Sequence, residues 1–348
     1  PASEAQLAIT IAEQIETALA DPFWLDDREI FLQASIGIVY HTGEIKRADA
    51  VHPQRVMRDV DLALQQAKKG QTCRWVMFEE SMLTNFEQQL QLETDLRWAI
   101  ARDEFEVYFQ PIMSLDSGQL GGFEALVRWQ HPDRGVVSPA EFINLAEEWG
   151  MIGEIGHHVL RSVARQWSQW RAEFPIVDQL TVNVNLSAKQ LTPDLVSRVQ
   201  SVLVAAGLPG KCLKLELTET SLAIDSPQVR QDLQRLRSLG IGICLDDFGT
   251  GYCSLKYLHE FPIDALKIDR SFVQCLFDPT PSAAIVETIV SLGRSMGLTI
   301  VAEGVETCEQ ADHLKSLGCQ YGQGFLFARP LSVEQVTAVL ARGGQLDP

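Results

Sequence analysis

From Leu92 onward the chain repeats one local pattern: a short apolar run, a loop, an amphipathic stretch and then the next apolar run. Strands are predicted at 106–111, 122–129, 180–186, 213–218, 241–246, 265–269, 298–303 and 319–321. Helices lie between them, and their punctuation is legible. Ser138-Pro139-Ala140-Glu141 supplies an N-cap, a proline at the first helical position and a capping-box glutamate. Thr192-Pro193 and Ser226-Pro227 repeat the cap and proline, and Thr307-Cys308-Glu309-Gln310 repeats the capping box. Gly240, Gly297 and Gly318 stop their helices. Eight strands alternating with helices over about 250 residues match the period of a (β/α)8, TIM-like barrel of the α/β class. An open doubly wound sheet would carry a glycine-rich phosphate loop after its first strand, and none is present.

The segment before the barrel is different. Residues 5–20 are expected to be helical, with Leu7, Ile11, Ile15 and Leu19 recurring every four residues. A strand is expected at 32–40. A helix follows from about Pro53 to Lys69, closed by the cationic Lys68 and Lys69 and by Gly70. Another short strand is expected at 74–78, then a helical connector with few apolar anchors. The division this predicts is an α+β fragment at 1–79, a connector at 80–91 and the barrel at 92–348.

With 348 residues, 46% of them hydrophobic, the chain can bury more than one core. No apolar run reaches membrane-spanning length, and Pro1-Ala2-Ser3-Glu4 begins no signal peptide, so a soluble protein without membrane contact is expected over this segment. The seven cysteines form no CxxC pair and sit mostly in apolar runs, which predicts reduced, buried thiols in the cytoplasm. A net charge of −17 argues against a nucleic-acid polymer as partner. A small anionic substrate stays compatible, because a local cation cluster can reverse the field in one cleft.

In such a barrel the chemistry gathers at the C-terminal ends of the strands. Those ends carry Asn185, Glu216, Asp246 with Asp247, Lys267 and Glu303; Gln323 follows the last strand and Glu124 lies inside the second. One buried carboxylate could be an ordinary ion pair, but several converging on one mouth need positive charge among them. Carboxylate and amide oxygens without His or Cys select Mg2+ or Mn2+. Two such ions, about 3.5–4 Å apart and bridged by one Asp, would serve a phosphoryl displacement. Lys267 would hold or help deprotonate the attacking water, and the plainer alternative is an ion pair with Asp269. His131, His157 and His158 are expected at the surface, and Trp167 and Trp170 in the core. Phe325, Arg329 and Pro330 are candidates for the wall of a base-binding slot.

Residues from about 90 to 340 resemble the EAL domain, the phosphodiesterase of the bacterial second messenger cyclic di-GMP. The motifs are Gln110-Pro111-Ile112, Glu124-Ala125-Leu126-Val127-Arg128-Trp129, Asn185-Leu186-Ser187, Glu216-Leu217-Thr218-Glu219, Asp246-Asp247-Phe248-Gly249-Thr250-Gly251, Leu266-Lys267-Ile268-Asp269, Ala302-Glu303-Gly304-Val305-Glu306 and Gln323-Gly324-Phe325. The resemblance implies a barrel with one antiparallel strand and hydrolysis of cyclic di-GMP to linear pGpG. It implies that Glu124, Asn185, Glu216 and Asp246 hold one metal, that Asp246 and Asp247 hold the second, and that Lys267, Glu303 and Gln323 complete the catalytic set. Arg128 matches a phosphate contact, while Gln110, Leu126 and Asp269 match further substrate contacts. Glu219 matches a residue that steadies the loop after Asp247, and that loop is implied to join the barrel in a homodimer. Cys253 stands where the family usually has Ser. A non-catalytic cyclic di-GMP receptor is the alternative, but receptors usually lack a ligand or the loop motif, and here every position is filled.

The first segment, through 34–38 and 61–70, resembles the C-terminal half of a GGDEF domain, without the signature motif or the nucleotide-binding half. The resemblances together imply cytoplasmic signalling, either by this chain alone or as the cytoplasmic part of a longer sensor protein.

Overall fold

The computed structural model describes residues 2–26, 28–40, 53–69, 75–222, 226–250, 258, 260–277 and 282–346. The chain divides into two compact units, Pro1–Asp95 and Leu96–Pro348. Among the described residues no helix is long and apolar enough to cross a membrane.

The first unit opens with the helix Ala2–Ala18 and a short antiparallel hairpin of β1 (Phe23–Leu25) and β2 (Arg28–Ile30). The hairpin was not expected: its strands are three residues each, too short for an alternation to show. Next, β3 (Ile36–Ile38) pairs in parallel with β4 (Trp75–Met77), and the helix Pro53–Lys69 belongs to the chain between them. Gly37 explains how closely that helix approaches: a Cβ there would lie 2.6 Å from Val60 O and from Leu64 N. The predicted cap at Gly70 lies outside the described residues. The connector is helical, but its helix runs Glu80–Ala99, longer than predicted.

In the second unit, β5 (Phe105–Ser114), β6 (Leu120–His131), β8 (Thr181–Asn185), β9 (Leu213–Thr218), β10 (Gly242–Phe248), β11 (Ala265–Ile268), β12 (Thr299–Ala302) and β13 (Tyr321–Gly322) close into an eight-stranded barrel. β5 runs antiparallel to both neighbours, β6 and β13, and the remaining neighbours are parallel. β7 (Gly135–Val137) is an extra hairpin strand on β6. The helix Ile152–Glu173 packs Val159, Val163, Trp167 and Trp170 inward, and Trp170 meets Phe109 edge-on at 5.0 Å between ring centroids. Both tryptophans are core residues, as expected.

Of the three caps predicted with a proline, two keep their place without the cap bond and one is displaced. Ser138 and Ser226 stand at their helix N-caps without a side-chain cap bond, and the helix expected at Thr192 begins at Leu195 behind Asp194. Thr192 instead donates its hydroxyl to Asp194, whose other oxygen accepts from Arg198 on the same helix. The Thr307–Gln310 capping box is formed on both sides. His131 is a further correction: it is buried, and its Nδ1 accepts from the Asp133 and Arg134 amides, fastening the turn that leads into β7. Among the cysteines, Cys212, Cys244 and Cys319 are buried free thiols and Cys308 is exposed.

Candidate active site

Barrel closure turns residues far apart in sequence into neighbours. Glu124 on β6 is level with Asn183 on β8, and Asn185 is level with Glu216 on β9. Lys267 projects from β11 and is completely buried. Its Nζ lies 2.5 Å from Glu303 Oε1, 3.0 Å from Glu124 Oε2, 3.1 Å from Glu216 Oε2 and 3.4 Å from Asp246 Oδ1. The alternative ion pair with Asp269 is therefore not the one Lys267 makes. Asp269 caps the helix Arg270–Gln274, accepting from the Ser271 amide and hydroxyl.

Amides fix the far side of each carboxylate. Asn185 Nδ2 donates to Glu124 Oε1 at 2.7 Å, and Asn183 Nδ2 donates to Glu216 Oε1 at 2.7 Å. Gln323 Nε2 donates to Glu124 Oε2 at 2.8 Å and to Gln110 Oε1 at 3.0 Å. Burial opposes the charge of Lys267, but Glu124, Glu216, Glu303 and Asp246 outweigh it and hold the ammonium well above its ordinary range. Burial also opposes the charge of Glu124, yet Lys267 and the hydrogen bonds to Gln323, Lys267 and Asn185 keep this carboxyl low. Glu216 goes the other way, driven well up by burial and then by the charge of Glu124. Burial pushes Glu303 up to about 8.

In a regular strand Asp246 and Asp247 would face opposite sides. The pairing of β10 with β11 shifts register between Leu245 and Phe248, and Asp247 takes a left-handed φ of 52°. This irregularity re-aims Asp247, so that Asp246, Asp247 and Glu303 each bring an oxygen within 4.8 Å of the other two. Burial, followed by the charges of Asp246 and Asp269, pushes Asp247 up to about 6. Gly249, at φ 100°, then turns the chain against Phe272, and its amide donates to Glu219 Oε2 at 3.1 Å. Phe248 ends β10 and is buried, so the loop starts at Gly249; its Gly251, Tyr252 and Cys253 lie outside the described residues.

Four carboxylates thus surround one lysine, Asp247 joins two of them at the mouth, and every free ligand atom is oxygen, a donor set that suits a hard divalent cation. Beside them opens a cavity of about 270 Å3, lined in part by Gln110, Leu126, Arg270, Glu306 and Phe325. Arg329 stacks over the exposed Phe325 ring at 4.2 Å from its centroid. Arg128 is half-buried and donates to Val127 O. Pro330, also expected at the slot, is partly exposed and is not a lining residue of this cavity. Arg270, Glu306 and Asn183 were missed by the sequence reading; for Asn183 the two-residue spacing to Asn185 on a strand was the available signal.

An EAL domain family model matches residues 93–330. The chain belongs to the EAL family. Among curated relatives, the bifunctional diguanylate cyclase/cyclic di-GMP phosphodiesterase MucR of Pseudomonas aeruginosa is 40% identical over 339 residues, covering 96% of this chain and 48% of MucR. The cyclic di-GMP phosphodiesterase NbdA of the same organism is 36% identical, covering 92% of this chain and 40% of NbdA. This chain therefore spans less than half the length of either relative. A solved structure described as the PaMucR phosphodiesterase in complex with c-di-GMP aligns with a TM-score of 0.68 at 42% identity, over 71% of this chain and 99% of that one. The EAL match begins two residues before Asp95, where the first compact unit ends.

Proposed function

We propose that the EAL barrel hydrolyses one phosphodiester of cyclic di-GMP, giving linear pGpG, with two Mg2+ or Mn2+ ions at the strand ends. The observation that carries this reading is the gathering of Glu124, Glu216, Asp246 and Glu303 about the buried Lys267, with Asp247 beside Asp246 and Glu303. A receptor needs shape and phosphate contacts, but it has no use for such an excess of buried negative charge.

Glu124, Asn185, Glu216 and Asp246 would hold one cation, and Asp246 with Asp247 the second. Bound there, such ions acidify a water and neutralise the charge developing on the phosphate. Lys267 keeps its proton and adds fixed positive charge beside Glu124 and Glu303. Glu303 Oε1 accepts from Lys267 Nζ, which fixes this carboxylate beside the cation site. Gln323 keeps Glu124 oriented from the side opposite Asn185. Arg128 would meet a phosphate; Gln110, Leu126, Asp269, Phe325 and Pro330 would seat the guanines. Glu219 steadies the loop after Asp247, through which the barrel would pair as a homodimer. The first unit is read as a partial GGDEF-like module that packs or regulates, and the whole as cytoplasmic. The test is chromatographic detection of pGpG from cyclic di-GMP with Mg2+ or Mn2+. Binding without turnover under every divalent cation would leave the receptor reading in its place.

A further inference from the structure

We propose that Asn183 is a positioning residue for the metal site, acting through Glu216; this rests on the two-cation reading above. On β8, Asn183 and Asn185 are two residues apart and face the barrel interior together. They serve opposite neighbours. Asn185 reaches Glu124 on β6, and Asn183 reaches Glu216 on β9, each at 2.7 Å. Each glutamate thus has Oε1 on an asparagine and Oε2 on Lys267.

Asn183 lies about 6.6 Å deeper along the strand than Asn185, and only 2% of its surface is exposed. It is out of reach of a substrate at the mouth, so its role passes through the carboxylate. Its Oδ1 is buried without a hydrogen-bond partner, which costs the fold stability. Leucine would remove that unpaired oxygen but would also leave the buried Glu216 Oε1 without its amide donor. What the amide alone supplies is an N–H aimed at Glu216, fixing the carboxylate's rotation. Groups that orient a ligand in this way are commonly worth ten- to 100-fold in metal affinity.

The test is calorimetric titration of the full chain with Mn2+ in the absence of substrate, comparing the unsubstituted protein with Asn183→Leu and Asn183→Ser. The expected result is a Mn2+ affinity about ten- to 100-fold weaker in both variants. Unchanged Mn2+ affinity in either folded variant overturns the proposal. So does failure of both variants to fold even with saturating Mn2+, because that makes Asn183 a structural residue alone. If the unsubstituted protein binds no divalent cation, the two-cation reading itself has failed, an outcome distinct from unchanged variants.

Discussion

Leu7, Ile11 and Ile15 lie along one face of the first helix and are 59%, 48% and 41% exposed. Val159, Val163 and Trp167 lie at the same spacing on the helix Ile152–Glu173 and are 6%, 0% and 0% exposed. The periodicity is identical and the outcome opposite. A hydrophobic stripe specifies a helix and the face it would bury, but a second surface must exist to bury it. The closed barrel offers that surface to its helices. Among the described residues, the parallel sheet of the first unit has two strands, although parallel strands are ordinarily covered on both faces. Trp24, Leu25 and Phe31 are left exposed there as well.

The contrast can be broken most directly through chemistry. Glu124→Ala should lower pGpG formation by roughly 10³-fold while circular dichroism stays unchanged, and near-normal turnover would remove the barrel mouth from the reaction. Removing residues 1–79 should shift turnover, solubility or oligomeric state by far less than that, and no shift in any of the three would strip the first unit of a packing or regulatory part.

Stability sharpens the same comparison. Phe123→Ala in the barrel wall should cost about 3–5 kcal/mol in urea unfolding, whereas Ile11→Gln should stay within about 0.5 kcal/mol. Equal costs would mean that the two faces are buried alike. The acidic mouth adds a pH dependence. Asp247 and Glu303 hold protons more tightly folded than unfolded, with values pushed up to about 6 and about 8. The stabilisation this gives is complete below their unfolded values near 4 and is lost as pH rises through about 6 and then about 8. The metal-free protein should therefore melt at lower temperature at pH 8.5 than at pH 5, and Mn2+ should recover most at the higher pH. A melting temperature that rises over this range without metal would contradict it. The helix caps should separate on a fine scale: Thr307→Ala should cost about 1 kcal/mol and Ser138→Ala a few tenths, since of the two only Thr307 makes its cap bond. Denaturation midpoints would rank them.

Much of the site could be read along the chain because strand ends in a barrel share one mouth. Knowing the period was enough to group Asn185, Glu216, Asp246, Lys267 and Glu303. That one strand runs antiparallel was legible only through the family resemblance, because an apolar run has no direction, and the structure identifies it as β5. His131 misled because a histidine after a strand looks exposed, and its burial depends on a turn closing over it. Asn183 was passed over because the strand's depth inside the barrel cannot be seen from one strand.

By itself, then, the sequence determined the order of the elements, the barrel and the residue types at its mouth, since these follow from periodicity and from polar residues at the ends of apolar runs. Only the tertiary structure decided how the charges are arranged. Lys267 chose four carboxylates over the nearby Asp269 because barrel closure brought β6, β9, β10 and the end of β12 to one point. Asp246 and Asp247, neighbours that a regular strand would turn to opposite faces, share that mouth because a register shift and a left-handed backbone turn re-aim Asp247.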